Sequence, residues 1–120
     1  MPDVRTIDDL RERLRTPRPQ FLELWASAPP HRSLCALVNG DLGWLMFLRQ
    51  NGDGGLSSRN PTYTGNPDAL IEYRLDNGQQ DQYPAAWALP LAEVERAFEH
   101  FFSYGKPAPW LEWRDNSPNQ

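Results

Sequence analysis

Apolar residues recur along this chain with two periods, and the changes between them outline the fold. In TIDDLRERL, Ile7, Leu10 and Leu14 fall on one face at helical spacing, Thr6 stands where a cap is needed, and Asp9 follows as in a capping box. Pro17 and Pro19 end this short helix, because they lack backbone donors and bias Thr16 and Arg18 towards extended conformations. From Phe21 the period becomes two. Phe21, Glu23 and Trp25 oppose Leu22, Leu24 and Ala26, which predicts a strand covered at least partly on both faces and closed by Pro29 and Pro30.

Two further apolar runs, Leu34 to Val38 and Trp44 to Leu48, are joined by Asn39-Gly40-Asp41, the signature of an antiparallel hairpin. NGDGG at 51–55 is a second glycine-rich reversal. The polar, proline-broken stretch from Leu56 to Ala69 predicts a short edge strand followed by an exposed loop. In LIEYRL, Leu70, Glu72 and Arg74 alternate with Ile71, Tyr73 and Leu75, and Asp76-Asn77-Gly78 turns the chain into QQDQYP. A second helix follows. Leu91, Val94, Ala97, Phe98, Phe101 and Phe102 form one stripe, Pro90 sits near its first turn, Glu93 and Glu95 suit the positive end of its dipole, and Gly105 stands at its terminating position. Pro107 and Pro109 then lead into WLEW as a last strand.

These elements predict an α+β fold: a mostly antiparallel sheet of five or six strands, a C-terminal helix packed on one face as a lid, and a short N-terminal helix. A chain of 120 residues makes one domain over 1–120, with a helical segment at 1–18 and a flexible tail at 114–120. A hydrophobic fraction of 39%, with five Trp, five Phe and four Tyr, excludes a disordered chain.

Charge narrows the function. A net charge of -4 argues against direct nucleic-acid binding, which needs a basic face, and suits a basic protein partner as well as an ordinary solvated surface. Between Asp41 and Asp81 the acids Asp41, Asp53, Asp68, Glu72, Asp76 and Asp81 outnumber Arg49, Arg59 and Arg74, while Arg5, Arg11, Arg13, Arg15 and Arg18 gather at the N-terminus. The single Cys35 cannot form an internal disulfide, no apolar segment approaches the roughly 20 residues that span a bilayer, and the charged start lacks a signal-peptide core. A cytoplasmic home without membrane contact is the simplest expectation.

Catalytic chemistry finds little to use. His31, His100 and Cys35 are the only candidates of their kind, and His31 and Cys35 would stand about 13 Å apart along an extended chain, beyond hydrogen-bond reach. There is no C-x-x-C or H-x-x-x-H spacing for zinc, and NGDGG lacks the Lys and Ser or Thr of a phosphate loop. No enzyme activity, cofactor or metal is expected.

Gly43-Trp44-Leu45, the glycine run 52–55, Tyr73, Tyr83-Pro84, Pro90, Phe101-Phe102, Gly105, Pro109 and residues 111–113 occur in an order that resembles an immunity-protein family of bacterial polymorphic toxin systems, the one numbered first among them. The resemblance spans residues 34–113, and Lys106-Pro107-Ala108 carries one proline more than the family's pattern. It implies a non-enzymatic α+β protein that binds and silences a toxin domain, often a nucleic-acid deaminase.

A toxin with a basic substrate groove would meet its complement in Asp53, Asp68, Glu72, Asp76 and Asp81, with Tyr63, Tyr73 and Tyr83 as aromatic anchors. Each acid also fits an ordinary turn or a charged strand edge, and Tyr73 and Tyr83 fit equally as half-buried sheet residues. Trp44, Trp110 and Trp113 are expected to be structural. The competing expectation is a scaffold module that self-assembles through a sheet edge.

Overall fold

The computed structural model describes residues 3–116. In chain order it contains α1 (Ile7–Leu14), β1 (Phe21–Ala28), β2 (Arg32–Asn39), β3 (Leu42–Leu48), β4 (Leu56–Arg59), β5 (Leu70–Arg74), β6 (Gln80–Pro84), a 3-10 turn (Ala85–Trp87), β7 (Leu89–Pro90), α2 (Leu91–Tyr104) and β8 (Glu112–Asp115). The fold is α+β, with a short N-terminal helix, a C-terminal helix and a mostly antiparallel sheet of six strands.

The main sheet runs β1-β2-β3-β4-β8, and the two-residue β7 pairs with the start of β3 through Leu42↔Pro90 and Gly43↔Leu89. β4 pairs with the far half of β3 through Met46↔Ser57 and Phe47↔Leu56. Between these two partners the Leu45 amide donates to Ser58 Oγ (3.0 Å), which gives the fully buried Ser58 its role.

Period-two alternation divides the sheet into two faces. Leu22, Leu24 and Ala26 of β1, Leu34, Ala36 and Val38 of β2, and Leu45 and Phe47 of β3 pack with Val94, Ala97, Phe98 and Phe101 of α2 and Leu10 of α1. Helix α2 begins directly after Pro90 and ends at Gly105, whose φ of 65° is the left-handed conformation that glycine adopts freely; its amide donates to Phe101 O (2.7 Å). The helix lies hard against β3: a Cβ on Gly43 would stand 2.7 Å from Val94 Cγ2.

The opposite face carries β5 and β6, which form a separate two-stranded ribbon. Cys35, Leu37, Trp44 and Tyr73 are buried between the layers, with Trp25, Met46, Ile71, Leu75, Tyr83 and Trp87 packed around them. Polar ties are few. Asn39 Nδ2 donates to Glu72 O (2.9 Å), and the Asp76 amide donates to Glu23 Oε1 (2.9 Å).

Three local expectations are corrected. β4 is an interior strand between β3 and β8, because the chain returns after α2 to pair Ser58 with Trp113 and Arg59 with Glu112. The last strand starts at Glu112 rather than Trp110 and continues through Arg114 and Asp115, into the segment expected as a tail; 117–120 lie outside the described residues. The six strands of the main sheet include β7 and β8, while the β5–β6 hairpin stacks on the sheet instead of extending it.

Candidate functional site

The hairpin layer is anchored by aromatic rings. Tyr83 stacks on Trp44 with centroids 4.3 Å apart and an interplanar angle of 21°, lies 6.1 Å from Trp87, and sits 6.1 Å from Tyr73. Arg59 ends the row, with its guanidinium carbon 3.7 Å from the Trp87 ring centroid. Burial, followed by the neighbouring Asp81 carboxylate, pushes the Tyr83 phenol up from its ordinary pKa, and its hydroxyl donates to Asp81 Oδ2 (3.2 Å). Tyr73 is 1% exposed, and burial raises its pKa too. Cys35 is buried beneath this layer; burial and then the charge of Glu23 push its thiol up, so it remains protonated and unreactive at neutral pH.

The residues singled out in the sequence separate into two groups. Asp53 is occupied internally: its side chain is 7% exposed and accepts from the Arg49 amide (2.9 Å), Nε (2.8 Å) and Nη2 (2.9 Å), while Arg49 also pairs with Asp115. Tyr63 folds onto its own loop, donating its hydroxyl to Asn66 O (2.8 Å) with its ring against Gly65. Tyr83 and Tyr73 belong to the interlayer core. Asp81 is half-buried, accepting from Gln79 Nε2 (2.8 Å) as well as from Tyr83.

Asp68 and Asp76 are exposed, just before and just after β5, and so stand at opposite ends of the ribbon. Glu72 lies between them on the outward face beside Arg74 (2.6 Å), whose guanidinium covers Phe21. Glu23, by its sequence pattern only a strand residue of β1, joins the Asp76 end by accepting that residue's amide. Its place among the apolar residues of β1 was the available signal.

Two other features were not foreseen. The hairpin covers β1 to β3 and leaves the same face of β4 and β8 open, where a cleft of about 640 Å³ is lined by Arg59, Trp87, Glu112 and Arg114 among others. On the outer side of α2, His100 lies 4.7 Å from Tyr104 and 5.4 Å from Trp110, ring centroid to ring centroid, and Arg96 covers Trp110 at 4.6 Å. Tyr104 and Trp110 are 65% and 45% exposed, so Trp110 is a surface residue rather than the structural one expected, whereas Trp44 and Trp113 are packed as expected. Among the described residues there is no cluster of three or more His, Cys, Asp or Glu suited to a metal, and no helix long and apolar enough to cross a membrane.

The family model described as Immunity protein Imm1 matches residues 4–115. The chain belongs to the Imm1 family. The match begins at residue 4, so the family pattern includes α1 and β1 as well as the segment from residue 34 on which the resemblance was read. No curated protein matches the chain. Membership of Imm1 supports an immunity role and, with it, binding to a cognate toxin protein.

Proposed function

We propose that this Imm1 protein neutralises a toxin domain with a basic working surface, such as a nucleic-acid deaminase, by covering its active or substrate-binding face. It acts by binding alone, in the cytoplasm of a bacterium, against a polymorphic toxin used in competition between bacteria. The family match over residues 4–115 carries the immunity role. The hairpin layer favours a basic partner: Asp68, Asp76 and Asp81 have no cation in ion-pair range among the described residues. Uncompensated carboxylates on a net charge of -4 attract a basic groove from a distance and exclude a nucleic-acid substrate once in place.

Asp68, Glu72 and Asp76 supply the outward charge in this interface. Asp81 and Tyr83 brace the ribbon from within, while Asp53 and Tyr63 hold the flanking loops in shape.

The test is co-expression with the C-terminal toxin domain of a neighbouring gene. Survival together with a stoichiometric complex is expected, and an undisturbed toxin that does not co-purify refutes the pairing. In the complex, Asp68→Lys with Asp76→Lys should slow association and flatten its salt dependence while leaving dissociation nearly unchanged. Identical association rates at low salt would remove the hairpin from the interface.

A further inference from the structure

Backbone pairing leaves one edge of the β5–β6 ribbon open. The Ala85 amide donates to Ala69 O (2.8 Å) and the Leu75 amide to Gln79 O (2.9 Å), so in this register the odd-numbered residues turn their backbone groups towards the other strand. The even-numbered residues turn theirs outward. On β5 that edge is engaged with the main sheet, because Glu72 O accepts from Asn39 Nδ2 (2.9 Å). On β6 the amides and carbonyls of Gln80 and Gln82, both exposed residues, have no partner among the described residues. The open edge faces incompletely covered sheet. β5 lies over Phe21 and Asn39 through Arg74 and Glu72, and β6 lies over Trp44 through Tyr83. Two residues further along the same strands, Trp25, Cys35 and Met46 stand side by side in register, and of these Trp25 and Met46 are only half-buried. A strand added to β6, about 4.8 Å beyond it, would run above that row.

We propose that an extended segment of the toxin adds to β6 as the third strand of the ribbon. The amides and carbonyls of Gln80 and Gln82 offer its main chain two donors and two acceptors, and its alternate side chains, apolar ones, close over Trp25 and Met46. A second copy of this chain fits the edge less well. In the antiparallel register that sets Gln80 of one copy against Gln82 of the other, Asp81 stands directly opposite Asp81, where like charges repel, and each copy brings a net charge of -4. This inference presupposes the immunity role and deepens it: the carboxylates of the hairpin steer a basic toxin, and the backbone edge beside them seats it.

The test uses the inactivated C-terminal toxin domain of a neighbouring gene. Residue-resolved amide hydrogen exchange should show the Gln80 and Gln82 amides slowed at least about tenfold in the complex, with the Leu70 and Arg74 amides of the opposite edge unchanged. Gln82→Pro removes one outward donor and leaves the pairing with β5 whole, so it should bind at least about tenfold more weakly, whereas Gln82→Ala, which keeps the amide, should bind within about threefold of the parent. Circular dichroism checks folding, and if Gln82→Pro does not fold, the exchange result decides. A stoichiometric complex in which Gln80 and Gln82 exchange as they do in the free protein overturns the proposal while the immunity role stands, and so do folded Pro and Ala variants of equal affinity. If the parent does not bind, the immunity pairing fails and the proposal with it. A free parent that is dimeric, and that Gln82→Pro makes monomeric, would also overturn it by assigning the edge to a second copy.

Discussion

Adding one methyl group at Gly43 tests how closely α2 is seated on the sheet. A Cβ there would lie 2.7 Å from Val94 Cγ2 and 3.5 Å from Leu37 O, with Leu91 Cδ2 at 3.8 Å. Real Cβ atoms do not approach that closely, so Val94, which is fully buried, must move or α2 must lift. The β7 pairing of Gly43 with Leu89 and the Leu91 amide's bond to Asp41 O (3.2 Å) hold the start of α2 in place, which limits relaxation. Overpacking of this kind costs about 1–3 kcal/mol, and at this chain length each kcal/mol lowers the midpoint by about 4 °C. Val94→Ala alone should destabilise by about 1.5–3 kcal/mol through lost burial. The double variant should cost less than the sum of the two, because the new methyl occupies space that Val94 vacates; the coupling should be about 1 kcal/mol or more in favour of the pair. Urea unfolding of the four proteins, read by Trp fluorescence and far-ultraviolet dichroism, gives the cycle directly. A Gly43→Ala protein as stable as the parent, or strictly additive effects, would refute a rigid helix-to-strand contact and leave Gly43 without its steric reason.

Other expectations can be checked on the isolated protein. Asp53→Ala removes the acceptor for Arg49 and should cost about 1–2 kcal/mol in denaturant unfolding, whereas exposed Asp68→Ala should stay within about 0.5 kcal/mol; equal effects would contradict the assignment of Asp53 to its turn. Cys35, Tyr73 and Tyr83 have pKa values raised by folding, so their folded forms keep protons that the unfolded chain gives up at high pH. Stability should therefore hold below about pH 9 and fall above it by up to about 1.4 kcal/mol per pH unit for each such group. Cys35→Ala should delay the onset towards pH 10, and an unchanged profile would deny the thiol its part. Glu112, Arg114 and Asp115 put charge along the last strand of the sheet, so size-exclusion light scattering should find a monomer; a stable homodimer would favour edge-to-edge self-assembly.

Local order was legible in the sequence because periodicity and turn chemistry act over a few residues. β1 to β3, the Gly40 and Gly78 turns and the stripe of α2 all lie where alternation and glycine placed them. What eluded the pattern depends on contacts far apart in the chain. Alternation shows that β5 pairs with β6, but only the burial of Tyr73 and the Trp44–Tyr83 stack determine that the pair lies on top of the sheet. The same stack turns Tyr83 inward, so a residue with the composition of an interface anchor serves the core. Asp53 is a different miss: an arginine four residues earlier was visible, yet nothing local distinguishes a carboxylate held by Arg49 from a free one. Arg59 and Arg114 become neighbours only when β8 returns to β4, some fifty residues later in the chain.

The ribbon's independence from the main sheet has an evolutionary consequence. Ile71, Tyr73 and Tyr83 fasten it from beneath, while Leu70, Glu72, Gln80 and Gln82 occupy alternate positions facing away and Arg74 reaches back over Phe21 of β1. Because no ladder of sheet hydrogen bonds links the ribbon to β1 or β3, the outward positions can be rewritten without disturbing the strands below. A lineage confronted with an altered toxin therefore has a surface on which substitutions accumulate at little cost in stability, and new specificity can arise by drift on one hairpin before selection acts on the rest of the chain.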